Sequence, residues 1–352
     1  MTPLGAIIRA EISDTGPMRL DRYMTLCLSH PEHGYYTTRD PFGAAGDFVT
    51  APEISQMFGE IIGLWLAQSW HDQGAPSPFT LAELGPGRGT LMADILRSAS
   101  MVPGFGDAAD ITMLETSPVL RAACERSLAG STISWIDDLT QMPGQPAFLI
   151  ANEFFDALPV RQFQKIDDQW AERFVDIDQT DLAFRIAPVR GDIPHACNPA
   201  LPDGAVVEVS ALGESIASQI AQVLKTRGGA ALIVDYGEWH GGGDTLQAVR
   251  GHKSVSTLDD PGAADLTTHV AFDRLAHAAA GVATAMTAQG AFLERLGITA
   301  RANQLAATAP DAQGDAIVAA HRRLTHPDEM GNLFKALALT PTNAPAPAGF
   351  EP

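Results

Sequence analysis

The chain has 352 residues, 45% of them hydrophobic and 18% charged, which excludes disorder throughout and low-complexity fibres. Lys and Arg number 23 against 42 Asp and Glu, a formal net charge of −19. A surface that acidic repels phosphate backbones and anionic lipid, so no nucleic-acid partner is expected and a cationic ligand or basic protein segment is favoured. Cys27, Cys124 and Cys197 lie far apart, with no CxxC pair and no disulfide ladder, as in a reducing compartment. No apolar run approaches the ~18 residues of a membrane span. The N-terminus has neither a signal-peptide core nor an Arg-rich, acid-poor transit pattern, so a cytoplasmic protein is expected.

In chain order, residues 1–30 read as helical. The following HPEHGYYTTRDPFGAAGDFVTAPEIS is dense in Gly, Pro and aromatics and reads as an ordered loop. His30 and His33 within it have no third ligand at a familiar spacing, so no metal is expected. Thr50, Pro52 and Glu53 spell a capping box, with Pro in the first turn. From there Ile54, Met57, Phe58, Ile61, Ile62, Trp65 and Leu66 recur at helical spacing, predicting a helix with one buried face.

From residue 79 short apolar runs alternate with helical patterns, the mark of a parallel α/β sheet. Seven strands are expected near residues 79–84, 111–114, 133–136, 148–151, 230–234, 282–288 and 333–339. The chain divides into an N-terminal helical lobe with a covering loop (1–78), a core (79–340) with insertions at about 160–205, 237–270 and 290–325, and a loose tail (341–352). The first insertion reads as a small antiparallel unit, and the Gly- and Asp-rich second one as a cover over a site. Three of the strands are followed by acidic residues.

The strongest chemical signal is FTLAELGPGRGTLMADIL, residues 79–96. A buried strand runs into a glycine turn, and a helix opens at about Thr90. Glycines there permit positive φ and close approach of a ligand to backbone N–H groups. Thr90 stands where a dinucleotide GxGxxG fingerprint needs its last Gly, and a Walker A loop would need a Lys. What remains is the acidic-x-GxGxG form built from Glu83, Gly85, Gly87 and Gly89, typical of S-adenosylmethionine (SAM) methyltransferases. Glu115 closes the second strand, where a carboxylate can accept both ribose hydroxyls. Asp137 and Asp138 follow the third, where an acid can meet the adenine amino group.

After the fourth strand comes ANEFFDALPV. Asn152, Glu153 and Asp156 sit where the carboxyl edge should face the transferable methyl, so they are candidates to hold the acceptor and act in catalysis. No aminomethyltransferase NPPY or DPPY tetrapeptide occurs. Asp235-Tyr236-Gly237 ends the fifth strand at the same edge, as a site wall or as a structural turn.

Together HPEHGYYTTRDPFGAAGDFVTAPEISQMFGE, LAELGPGRGTLMADILR, ANEFFDALPV, ALIVDYG, TLQAVRGHK, DLTTHVAFD and MGNLFKALAL resemble the MidA-like family of SAM-dependent methyltransferases. That family includes the mitochondrial complex I assembly factor that methylates an arginine of a complex I subunit. The resemblance spans residues ~30–340 and implies a class I, Rossmann-like, doubly wound seven-stranded fold, with SAM as cofactor and S-adenosylhomocysteine (SAH) as product. It implies a protein client, such as a respiratory complex I subunit, and arginine as acceptor. By position it assigns Asp47, Phe48, Thr50, Glu83, Gly85, Gly87, Glu115, Asn152, Glu153 and Asp156 to the site region. Of these, Phe48 and Thr50 join the cofactor side and Asp47 the catalytic side. Bacterial cytoplasm is the expected setting, and a homodimer is compatible with this reading. An assembly chaperone that binds its client without catalysis is the other reading.

Overall fold

The computed structural model describes residues 2–39, 49–189 and 191–351. The central sheet is built from β1 (Phe79–Leu84), β2 (Ala109–Leu114), β3 (Ile133–Ile136), β4 (Ala147–Asn152), β5 (Gly229–Glu238), β6 (Ala283–Ala288) and β7 (Phe334–Thr340). Their spatial order is β6-β7-β5-β4-β1-β2-β3. The first five strands pair in parallel, whereas β7 runs antiparallel to both β5 and β6. All seven expected strands are present, several of them longer than their apolar runs.

The strands β1, β4 and β7 are buried along their whole length, as expected where helices cover both sheet faces. Alternate residues feed two cores. Phe79, Leu81, Phe148, Ile150, Leu232 and Ala336 face one; Ala82, Leu84, Leu149, Ala151, Ile233 and Leu337 face the other. The first core is covered by α1 (Gln56–Asp72) and α2 (Thr90–Ala99), the second by α3 (Ala211–Arg227). Contact between α1 and α2 is close enough that a Cβ on Gly63 would sit 2.3 Å from Ser98 Oγ. That contact fixes the helix that follows the glycine turn.

The N-terminal helices Pro3–Thr15 and Leu20–Ser29 share a separate apolar cluster with both insertions. Leu4, Ile8, Tyr23 and Met24 pack there with Val160, Val175, Ala248 and Leu266. Polar ties reinforce it: Tyr23 donates to the Thr257 carbonyl at 2.8 Å and Thr2 Oγ1 to that of Pro261 at 2.9 Å. The first insertion is a sheet of Arg161–Ile166, Gln169–Asp178, Asp181–Pro188 and Val206–Val209, joined at its edge by Met18–Arg19. The second carries a three-stranded antiparallel sheet of Gln247–Arg250, Lys253–Val255 and Asp265–Thr267. Its Gly- and Asp-rich composition hid those short strands.

Two local expectations are corrected. Thr50 does cap the short helix Ala51–Ile54, but its side chain makes no capping bond. Glu53 instead accepts from Thr90 Oγ1 at 2.6 Å, and the long amphipathic helix starts afresh with Ser55 capping Met57 N. The tail, expected to be loose, is docked. Trp65 Nε1 donates to the Ala348 carbonyl at 3.0 Å, Arg295 reaches that of Gly349, and Phe350 packs on Phe292 with ring centroids 5.1 Å apart.

Candidate active site

The site lies where the strand order reverses, between β1 and β4, whose carboxyl ends stand side by side with Leu84 opposite Ala151. Ligands of doubly wound sheets collect in such a crevice. The turn Gly85–Gly89 has φ of +68°, +52° and +79° at its three glycines, a run L side chains rarely adopt. A Cβ on Gly89 would also stand 2.8 Å from Cys124 Sγ. Helix α2 begins directly after this turn, presenting its free N–H groups to the crevice.

Two cavities open there. The larger, about 440 Å³, is lined by Gly85, Glu115, Thr116, Asp137, Asp138 and Leu139, and by Glu153, Asp156, Tyr236, Gln247 and Asp265. The smaller, about 40 Å³, lies between Thr50, Glu53, Glu83, Gly87, Arg88 and Asn152. Gly85 and Glu153 form walls of both. Six carboxylate residues line the large cavity and, among the described residues, no Lys, Arg or His does. Burial disfavours the charged forms of Glu153 and Asp156, a penalty that an arriving cation offsets.

Unpartnered polar atoms point the same way. Buried oxygens of Glu83 (Oε2), Asn152 (Oδ1) and Asp156 (Oδ1) have no hydrogen-bond partner. All three residues border one or other cavity. Burial and the neighbouring Glu115 push Glu83 up to about 8. Burial raises Glu115 too, although Ser117 N donates to its Oε1 at 2.8 Å and the N–H of Gly87 also reaches it. A carboxylate at the end of β2, tied to the glycine turn, suits a ribose diol. The unpaired Glu83 oxygen beside the small cavity suits a cationic amino-acid end. The donor set therefore fits SAM.

Directly after β4, Glu153 has φ +48°, an uncommon backbone state for a residue with a side chain. Its Oε1 accepts from Ala51 N at 2.8 Å and from Asn152 Nδ2 at 3.2 Å. Burial pushes it up to about 7. Asp156 is only 6% exposed; burial raises it to about 6 against the Tyr236 hydroxyl that donates to it. The turn is held from below by Asp235, whose Oδ2 accepts the N–H groups of Phe154, Phe155 and Asp156 at 3.2, 2.9 and 3.2 Å. Asp235 holds the start of the turn, and the Asp156 carboxylate itself accepts from the Ala157 N–H within it.

Most residues singled out in the sequence converge on the two cavities. Asp137 is exposed and paired with Arg121, and Asp138 caps its own short turn through Thr140 N at 2.7 Å. Asp47 and Phe48 lie outside the described residues. Sequence reasoning did not single out Tyr36, Gln247, Thr267 or Asp265. The segments HGYY and DLTTH flagged their neighbourhoods, but no spacing marked those side chains as cavity walls.

Comparison with known proteins agrees with this geometry. Residues 61–291 match the family model described as "Putative S-adenosyl-L-methionine-dependent methyltransferase". The chain is 37% identical to the mitochondrial protein arginine methyltransferase NDUFAF7 homolog of Drosophila melanogaster, over 95% of this chain and 84% of that one. It is 34% identical to protein arginine methyltransferase NDUFAF7 of Homo sapiens, over 97% and 84%. A Burkholderia thailandensis crystal structure bound to S-adenosyl-homocysteine superposes with TM-score 0.83 at 28% identity, covering 99% of this chain and 92% of that one.

Proposed function

Because the chain belongs to the family of SAM-dependent methyltransferases matched over residues 61–291, we propose that it methylates an arginine side chain of a protein client. The observation that carries this reading is the acidic lining of the large cavity: Glu153, Asp156 and Asp265, with no basic side chain among the described lining residues. The relatives named protein arginine methyltransferase support the same acceptor. In this reading a respiratory complex I subunit is the client, as the family resemblance suggests, and the setting is bacterial cytoplasm. No helix among the described residues is long and apolar enough to cross a membrane.

SAM supplies an activated methyl on a sulfonium. Glu83, the glycine turn and Glu115 bind and orient it, joined in this reading by Asp137, Asp138 and Thr50. Asn152, Glu153 and Asp156 would hold the guanidinium, whose planar fork matches carboxylates, against the activated methyl that bound SAM would supply. Alignment of the two reactants accounts for most of the rate such a site gains. The nitrogen that takes the methyl must release a proton. Glu153, pushed up to about 7, is matched to accept it near neutral pH. The N-terminal lobe and second insertion supply walls of the cavity through Leu28 and Tyr36, and through Gln247 and Asp265.

The test is incubation with methyl-labelled SAM and a lysate, followed by mass spectrometry of labelled bands. A methylated arginine, absent with Glu153→Gln, supports the reading. Methyl groups only on other side chains, or SAM binding with no transfer, would replace it with another acceptor or with the client-binding chaperone.

A further inference from the structure

The far wall of the cavity is not built from the core alone. Asp265 comes from the second insertion, at the start of strand Asp265–Thr267, paired with Val249 across its sheet. It is 5% exposed and lines the same cavity as Asp156. Two connections set its place. Tyr36, from the N-terminal lobe, donates its hydroxyl to Asp265 Oδ1 at 2.8 Å. Tyr36 is itself held through its carbonyl, which accepts from Ser117 Oγ at 2.6 Å. Three residues after Asp265, Thr268 N donates to the Asp156 carbonyl at 3.0 Å. The strand that carries Asp265 is therefore tied to the turn that carries Asp156.

A guanidinium has five N–H donors in one plane, and a single carboxylate satisfies at most two of them. Asp156 has a buried Oδ1 with no partner and lines a cavity whose charged lining residues, among those described, are all acidic. Resting on the methyltransferase reading above, we infer that Asp265 is an acceptor-recognition residue: with Asp156 it forms a two-carboxylate seat for a cationic side chain, one wall from the core and one from the insertion. Tyr36 is the positioning residue that fixes the Asp265 carboxylate. The insertion is thus part of the acceptor site and selects for positive charge.

The probe is Nα-acetyl-arginine methylamide, titrated by NMR into the full chain saturated with SAH, with the citrulline analogue as neutral control. Wild type should bind the arginine probe and not the citrulline one. Asp265→Asn should weaken arginine binding tenfold or more while SAH affinity stays within twofold. Asp265→Glu, which keeps the charge, should recover part of the loss, and Tyr36→Phe should cost three- to tenfold. Should Asp265→Asn fail to fold, Tyr36→Phe and Asp265→Glu decide the matter. Unchanged arginine affinity in the folded variants overturns the role of Asp265 and leaves the arginine reading standing. A wild-type protein that binds arginine and citrulline probes alike, or neither, overturns the arginine reading and the seat with it.

Discussion

Asp235 Oδ2 accepts the backbone N–H of Phe155 at 2.9 Å, at the centre of a fan that also holds the N–H groups of Phe154 and Asp156. The carboxylate at the end of β5 is completely buried and determines how Glu153 and Asp156 leave the end of β4. Asp235→Ala removes the acceptor of these three N–H groups and of Tyr236 N, which its Oδ1 holds at 2.9 Å, at a cost of about 3 kcal/mol or more. Asp235→Asn keeps one acceptor oxygen and should cost less. Urea denaturation measures both. In folded protein, transfer should fall while SAM affinity changes only a few-fold, since the glycine turn lies on another strand.

Glu153→Gln and Asp156→Asn change charge with almost no change of shape. Each should bind SAM within a few-fold of wild type while methyl transfer falls roughly a hundredfold, ~3 kcal/mol of transition-state stabilisation. Calorimetry with SAM and single-turnover labelling separate the two effects. Transfer at near wild-type rates in both variants would move the catalytic carboxylates elsewhere.

Gly87→Val places a branched side chain at φ +52°, on the face of the turn the cofactor approaches, and should abolish measurable SAM binding. Gly89→Ala meets Cys124 Sγ at 2.8 Å in addition to its φ of +79°. It should lower stability by about 1–3 kcal/mol, which thermal denaturation reads directly.

Glu83, raised to about 8, makes two pH-dependent contributions. Its neutral form is favoured by the fold, so its stabilisation is complete below the ordinary carboxylate value and is lost as pH rises through about 8. The ligand-free protein should therefore lose thermal stability from pH 5 to 9. A cationic cofactor end favours the ionised carboxylate, so SAM affinity should rise between pH 6 and 8, by up to about tenfold per unit, with proton release. Glu83→Gln should reduce both slopes, leaving what the other raised carboxylates, Glu115, Glu153, Asp156 and Asp235 among them, contribute. Calorimetry in two buffers of different ionisation heat detects the released proton.

The sheet and the glycine turn were legible in the sequence because both are written locally. Strands buried on two faces appear as continuous apolar runs, and the turn after β1 must be glycine at each positive φ. Glu115 was readable because it directly ends a strand. The acceptor wall was not, because Tyr36 and Asp265 stand 229 positions apart and meet only when the lobe and insertion share a core. Thr50 misled for a related reason: its spacing to Glu53 matches a capping box, yet Thr90 on another helix claims the carboxylate. The tail misled because its Pro- and Ala-rich composition conceals Phe350, which finds Phe292 across the fold.

The most direct test of the central claim, that donor methyl and cationic acceptor meet in one acidic cavity, is tandem mass spectrometry of the client after a single turnover with methyl-labelled SAM. The account predicts label on a guanidinium nitrogen of one arginine, present with wild type and lost together in Glu153→Gln and Asp156→Asn while both variants still bind SAM. Label on a different type of side chain, or on the same arginine at wild-type rate in both variants, would contradict it.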